Sequence, residues 1–346
     1  MKTLSLVICS LLLSACGGGS SSSNPTTPTG TSKLTLRLSD APVEQAQKVC
    51  IAISALRLKP ADDPDEHIWT PLTLLPPATE QDGCLPDGYT IPLGSDGLPR
   101  FFYLDLLHYQ QGEHHALLSD SEIPAGSYEQ LRLMVEDGRT YRLDGSGTHP
   151  SSYVLDDTGQ TLPLEVPSSE LKLHGFSATA DGTLNYQLEF NLRHAMVLPG
   201  HGGYYKLKPN GVVLLEVATL STLQGQVTDT LCAGDLGTAG VYLYPARNGS
   251  ALSYQGLSSE TEAGGPLNTT LLQSATSSSA ASYQLFYIEP GSYDLALVCN
   301  AASDKVVDES ETSSFVPAIG SLVTDLTVDP AITTTATQDL LYPPTD

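Results

Sequence analysis

The feature that most constrains this chain is a side-chain period of two that recurs along it, while no helical period lasts three turns. Successive residues of an extended strand point to opposite faces, so alternating apolar and polar side chains mark a strand with one buried face. Residues 183–192 show this most clearly. Leu184, Tyr186, Leu188, Phe190 and Leu192 share one face, and Asn185, Gln187, Glu189 and Asn191 share the other. Leu34, Leu36 and Leu38 repeat the pattern. Further strands are expected at residues 49–58, 101–107, 128–135, 171–176, 204–207 and 212–217. A second series covers residues 223–227, 241–244, 267–272, 283–288, 293–298 and 322–328. Turn dipeptides such as Asp137-Gly138, Asp181-Gly182 and Asn210-Gly211 separate them. Many short strands joined by polar turns predict an all-β chain built of antiparallel β-sandwiches. A length of 346 residues fits about two domains. The pattern restarts after Leu220, so we place one sandwich at residues 33–218 and a second at 219–346.

The N-terminus reads differently. Lys2 precedes a short apolar run over residues 4–15. That run falls below the roughly 20 residues that cross a bilayer, and its charged start and small-residue end mark residues 1–15 as a signal peptide. Its last residues, Leu13-Ser14-Ala15-Cys16, resemble the lipobox of bacterial lipoproteins. The resemblance implies that Cys16 receives a diacylglyceryl group, becomes the first mature residue and carries acyl chains of the palmitate kind. Several such chains hold a protein on a membrane stably, whereas one is marginal. Gly17 stands where an Asp would retain a Gram-negative lipoprotein in the inner membrane, which implies the outer membrane. Residues 17–32 are Gly, Ser, Thr, Pro and Asn only, so they are expected to form a disordered tether. Its end-to-end distance would be roughly 20 Å, and about 55 Å at full stretch.

Charge excludes some partners. With 16 Lys and Arg against 39 Asp and Glu, the formal charge is -23. Binding nucleic acid needs clustered Lys and Arg, so nucleic acid is not an expected partner. The same acidity disfavours direct adsorption to anionic headgroups. The acidic run at Asp62, Asp63, Asp65 and Glu66 offers the oxygen ligands that calcium takes, but without the spaced ligand loop of a calcium site. We read it as a solvated turn, with Ca2+ the one ion it could hold and no cofactor expected. Asp40, in an Asp-Ala-Pro turn, is expected to cap that turn through its side chain. Among the eight His only His114 and His115 are adjacent, and on a strand they would face opposite ways. There is no G-x-S-x-G phrase and no His–Glu–x–x–His phrase, so no enzymatic activity is expected.

Several phrases in order resemble a lipoprotein domain known as domain of unknown function 4382. They are Leu36-Arg37-Leu38-Ser39-Asp40-Ala41-Pro42, then Trp69 with Leu72, then Leu104-Asp105-Leu106-Leu107. Ile123-Pro124-Ala125-Gly126-Ser127-Tyr128 and Tyr205-Lys206-Leu207-Lys208-Pro209 complete the set. Where that family often carries acidic residues on both sides of a Phe, this chain has Glu189-Phe190-Asn191, which weakens a cation role for the pair. The resemblance implies a fold and a location but no activity. Residues 220–346 resemble a carboxypeptidase-regulatory-like, transthyretin-related β-sandwich. The phrases are Gly225-Gln226-Val227, Ala239-Gly240-Val241-Tyr242-Leu243-Tyr244 and Glu289-Pro290-Gly291-Ser292-Tyr293-Asp294-Leu295. Modules of that kind act as spacers or binding modules.

Four Cys remain after the signal and the lipidated residue are set aside, and they allow three pairings. An exported chain meets an oxidising compartment. If each sandwich folds separately, only Cys50 with Cys84 and Cys232 with Cys299 keeps both disulfides within a domain. The resulting expectation is a lipid-anchored outer-membrane protein with a non-catalytic role in binding, adhesion or envelope scaffolding. Its partners would be the membrane through its lipid and another envelope protein or a glycan. The alternative is an accessory or enzyme of polysaccharide binding and processing, with Trp69 and Tyr residues stacking on sugars.

Overall fold

Two stacks of sheets share the chain, and each draws its strands from one side of residue 220. The computed structural model describes residues 30–41, 46–61, 64–143, 148–200, 202–248, 252–273, 281–307, 313–329 and 335–341. Cys16, residues 17–29 of the tether, Asp62 and Asp63 lie outside these residues, whereas Thr31 and Ser32, read as tether in the sequence, open the first strand. In the first half a four-stranded sheet runs Val212–Glu216, Thr183–Asn191, Thr31–Ala41, His115–Pro124. It packs on a nine-stranded sheet whose spine is the 15-residue strand Ala46–Pro60. That strand pairs antiparallel with His67–Trp69, Phe102–Asp105, Gly126–Val135 and Tyr153–Asp156. Leu34, Leu36 and Leu38 from one sheet and Val49, Ile51, Ile53, Leu131 and Leu133 from the other close a single core. The alternation read from the sequence therefore does fill a sandwich.

The second half stacks Ala281–Ile288, Ser221–Val227, Thr335–Thr337 on Asn268–Leu271, Gly240–Pro245, Gly291–Val298, Ile319–Val328. Leu223, Leu285, Val241, Leu243, Leu295 and Leu297 form its core. Gly240–Pro245 is buried on both faces, because Tyr242 and Tyr244 point away from that core into a second layer with Ala296, Val298 and Ala301. The C-terminal segment runs across the other sheet, so that a Cβ on Gly225 would meet Gln338 O at 1.9 Å. Only glycine lets the segment seat Leu340, fully buried, in the core.

Two departures from the sequence reading have plain causes. The pairing is antiparallel except where the chain returns from a distance. Thr31–Ala41 runs parallel to Thr183–Asn191, Tyr205–Leu207 parallel to Thr161–Glu165, and Thr335–Thr337 parallel to Ser221–Val227. The strand His115–Pro124 was not expected, because Ser119-Asp120-Ser121-Glu122 interrupts its alternation. Asp120 sits there at φ 47, and the pairing with Thr31–Ala41 shifts register beside it.

Cys50 is joined to Cys84 and Cys232 to Cys299, across 34 and 67 residues of chain. The first bond ties an otherwise loop-rich excursion to the spine strand, and the second ties the turn at residues 231–234 to the end of Gly291–Val298. On loop closure alone, removing either pair by double Cys→Ala substitution should destabilise by about 4 kcal/mol. The denaturant midpoint measures this. Non-reducing peptide mapping should recover Cys50 linked to Cys84 and Cys232 linked to Cys299, and a bond crossing between the halves would contradict the assignment.

Candidate functional site

The polar face of Thr183–Asn191 was expected to meet solvent. Instead Gln187 is 1 % and Glu189 5 % exposed, because the second half covers that face. In-register pairing sets Ser39 beside Glu189. The Ser39 hydroxyl donates to Glu189 Oε2, and Gln187 Nε2 donates to Ser39 Oγ at 2.6 Å. Burial pushes the Glu189 carboxyl up to about 8. Across from it, Phe286 and Tyr287, near the end of the strand Ala281–Ile288, reach the first half. Tyr287 OH donates to Gly112 O at 3.2 Å, and a Cβ on Gly112 would meet the Phe286 ring at 3.0 Å.

At Asn191 the strand stops, one residue earlier than its alternation suggests. Asn191 Oδ1 accepts the His194 N–H at 3.2 Å and caps a single helical turn, Leu192–Ala195. Asp40 braces the same turn: its Oδ1 accepts the Leu192 N–H at 3.3 Å and its Oδ2 a bond from Gln110 Nε2 at 3.0 Å. It thus caps this helical turn, 152 residues away in sequence, while the Asp-Ala-Pro turn itself runs into residues 42–45, outside the described residues. Burial, foremost, and then Glu189 raise the Asp40 carboxyl well above the usual carboxylate range. The turn aims Arg193 into the second half. Its guanidinium is buried and donates to Tyr242 OH at 3.3 Å, Thr269 Oγ1 at 3.1 Å and Ala301 O at 2.5 Å. Tyr242 OH in turn donates to Asp304 Oδ2 at 2.8 Å, so the buried cation has a carboxylate within its network. Beside it, Val197 packs with Leu257 and Val306 of the second half.

Between the halves this leaves a partly open cleft of about 160 Å³. Glu189, Asn191 and His194 line it from the first half and Asn268, Tyr287 and Glu289 from the second. Val213, Leu215, Leu243, Leu267, Ile288 and Tyr293 supply its apolar walls. Burial, then Lys208, lowers the His194 ring, which is therefore neutral at pH 7. That ring bonds the Leu257 backbone and keeps Nδ1 buried with no partner. None of these residues was singled out as a site in the sequence, apart from the Glu189–Asn191 phrase. A cleft built from both halves leaves no local signal.

Apart from the paired Cys, the singled-out residues that are described do not gather at one site. Glu66 faces two cations: Arg132 Nη1 lies 3.1 Å from Oε1 and Arg57 Nη1 3.8 Å from Oε2. Its carboxylate is thus neutralised by arginine. Trp69 packs against the first core. His108 Nδ1 lies 2.8 Å from Asp82 Oδ1 and its Nε2 3.8 Å from Asp105 Oδ2, so both ring nitrogens face carboxylates, not a nucleophile. Asp105 itself accepts the Val49 and Leu107 N–H groups at 3.0 and 3.2 Å. Asp137 likewise holds the N–H groups of Arg139, Thr140 and Val166. These buried carboxylates brace backbone turns.

Glu189 gives the junction a pH signature. An acid whose folded pKa is raised stabilises fully below its unfolded value, here 4.5, and that contribution is lost as the pH climbs through about 8. Glu189→Gln keeps an acceptor for Ser39 without the ionisation. It should melt like wild type near pH 4.5 and at a higher temperature near pH 8, by a margin on the order of a few kcal/mol. A Tm difference that does not change with pH would contradict this.

No curated protein matches the chain. Among solved structures it is similar to the major pilin subunit of Bacillus cereus, at 8 % identity over 90 % of this chain and 70 % of that one, with a TM-score of 0.17. It is also similar to a candidate cell adhesion protein of Bacteroides fragilis, at 9 % identity over 90 % and 92 %, with a TM-score of 0.20. Superpositions this loose carry no argument about function. The family model described as domain of unknown function (DUF4382) matches residues 31–209. Those residues hold the Asp40 turn, the Glu189 strand and Arg193, and through them the chain belongs to the DUF4382 family.

Proposed function

We propose that this chain is a lipoprotein, tethered through acylated Cys16 to the outer membrane, with a non-catalytic role in binding, adhesion or scaffolding at the cell envelope. Its two sandwiches, residues 33–218 and a carboxypeptidase-regulatory-like module at 219–346, would stand off the surface on the tether at residues 17–32. The observation that carries the non-catalytic part is the use of the buried acids. Asp40, Asp105, Asp137 and Asp304 accept backbone N–H groups, and the Ser39 hydroxyl donates its proton to Glu189. A nucleophile needs a base within hydrogen-bond reach and a place for the reacting atom. Here the polar groups brace turns and a junction, and the cleft between the halves is shaped to receive a ligand. Anchoring by lipid is consistent with the described residues, none of whose helices is long and apolar enough to cross a membrane.

Metabolic labelling with a fatty-acid probe should mark the wild type and not Cys16→Ala, and the variant should leave the membrane fraction. Label retained on Cys16→Ala would overturn the anchor. Generic ester, peptide and glycoside substrates should not turn over. Turnover abolished by replacing one Ser, Asp or His would overturn the non-catalytic reading.

A further inference from the structure

The cleft between the halves is asymmetric in chemistry. Its polar groups are dominated by acceptors: the Glu189 and Glu289 carboxyls, the Asn side-chain carbonyls and the partnerless Nδ1 of His194. Asn268 donates its amide N–H to Phe286 O at 3.2 Å, so its own oxygen remains an acceptor. Among the described residues, no Lys or Arg lines the cleft. Lys208 acts electrostatically on His194 and Arg37 on Tyr287, and Glu260 and Glu113 act on the same two groups with the opposite sign. Arg193 is turned away into the second core. The walls are apolar, and Val213 and Leu267 stay 41 % and 46 % exposed.

We infer that this cleft is a binding site for a primary alkylammonium group, either a small free amine or the side chain of a lysine. The inference deepens the binding role proposed above. An ammonium has three donors and no acceptor, so it needs a ring of acceptors with a carboxylate among them. A charge taken out of water needs a countercharge, which Glu189 supplies at the buried end. The methylene stem of such a ligand lies against Val213, Leu215 and Leu267 while its charged head goes inward. The rings of Tyr287 and Tyr293 add a face that attracts cations. The volume suits a group of this size, since a cavity of roughly 150 Å³ holds a benzene molecule. An anion would meet two carboxyls, and a neutral alcohol offers one donor and no charge where an ammonium offers three donors and a charge.

The proton balance gives the proposal a signature. Glu189 holds its proton up to about pH 8, while a bound ammonium stabilises the carboxylate. Binding therefore releases one proton below that pH, and affinity should rise by about tenfold per pH unit between roughly 5.5 and 7.5. Asp40, the next buried acid, faces Gln110 and Leu192 rather than the cleft, so it does not carry this slope.

The test is titration calorimetry or ligand-observed NMR on the purified full chain at low salt. The probes are n-butylamine, Nα-acetyl-lysine N-methylamide and, as the neutral control, n-butanol. Millimolar binding of either amine, the expected pH slope and no binding of n-butanol would support the site. Binding of both amines would point to a protein lysine as the source, and of n-butylamine alone to a small amine. Glu189→Gln should lose tenfold or more in affinity and show no pH slope, while its melting curve shows that it is folded. Val213→Phe, which fills the cleft from its exposed side, should also abolish binding. Equal binding of n-butanol, unchanged binding by Glu189→Gln, or no binding of either amine would overturn the inference. None of these outcomes bears on the label at Cys16, so failure here is distinct from failure of the anchor.

Discussion

Everything at the junction of this molecule depends on one buried cation. Arg193 leaves the first sandwich on a single helical turn and ends 5 % exposed inside the second, bonded to Tyr242, Thr269 and Ala301. Taking a guanidinium out of water costs several kcal/mol, and only a full set of acceptors with a nearby carboxylate offsets that. Asp304, held by Tyr242 and by the Leu257 N–H, is that carboxylate. A cation sequestered in this way is lost to neither solvent nor the first half, so the two sandwiches must keep one relative placement for the network to exist.

That placement explains why polar residues are buried where a sandwich would ordinarily face water. Ser39, Gln187 and Glu189 sit on the outer face of the first half and become interior only because Phe286 and Tyr287 lie over them. Docking two convex sandwiches does not fill the space beside Arg193, and the cleft is what remains. Its chemistry follows from its walls: Glu189, Asn191, Val213 and Leu215 from the first half, and Asn268, Glu289, Leu267 and Ile288 from the second, so each half supplies polar and apolar groups.

The sandwiches themselves were legible in the sequence. Leu34, Leu36 and Leu38, and Leu184 through Phe190, alternate because each faces a core, and the structure buries them there. The strand at His115–Pro124 was not legible, since a bulge at Asp120 breaks the period on which the reading rests. At the acidic run, sequence spacing cannot show that Arg57 and Arg132 flank Glu66 from neighbouring strands. The junction was the least legible part. Arg193 and His194 follow a capping Asn in a stretch with no motif, and their partners lie 49 to 108 residues away. A polar strand face looks the same whether it meets water or another domain.

Differential scanning calorimetry of the full chain and of Arg193→Met tests the account most directly. Removing the guanidinium leaves Asp304 buried without its cation, a loss of about 3 to 5 kcal/mol that falls entirely on the contact between the sandwiches. The wild type should melt in one transition with both halves coupled, and Arg193→Met should split it into two, the sandwiches unfolding separately. Two separate transitions in the wild type, left unchanged by Arg193→Met, would show that the halves are independent and that Arg193 does not hold them.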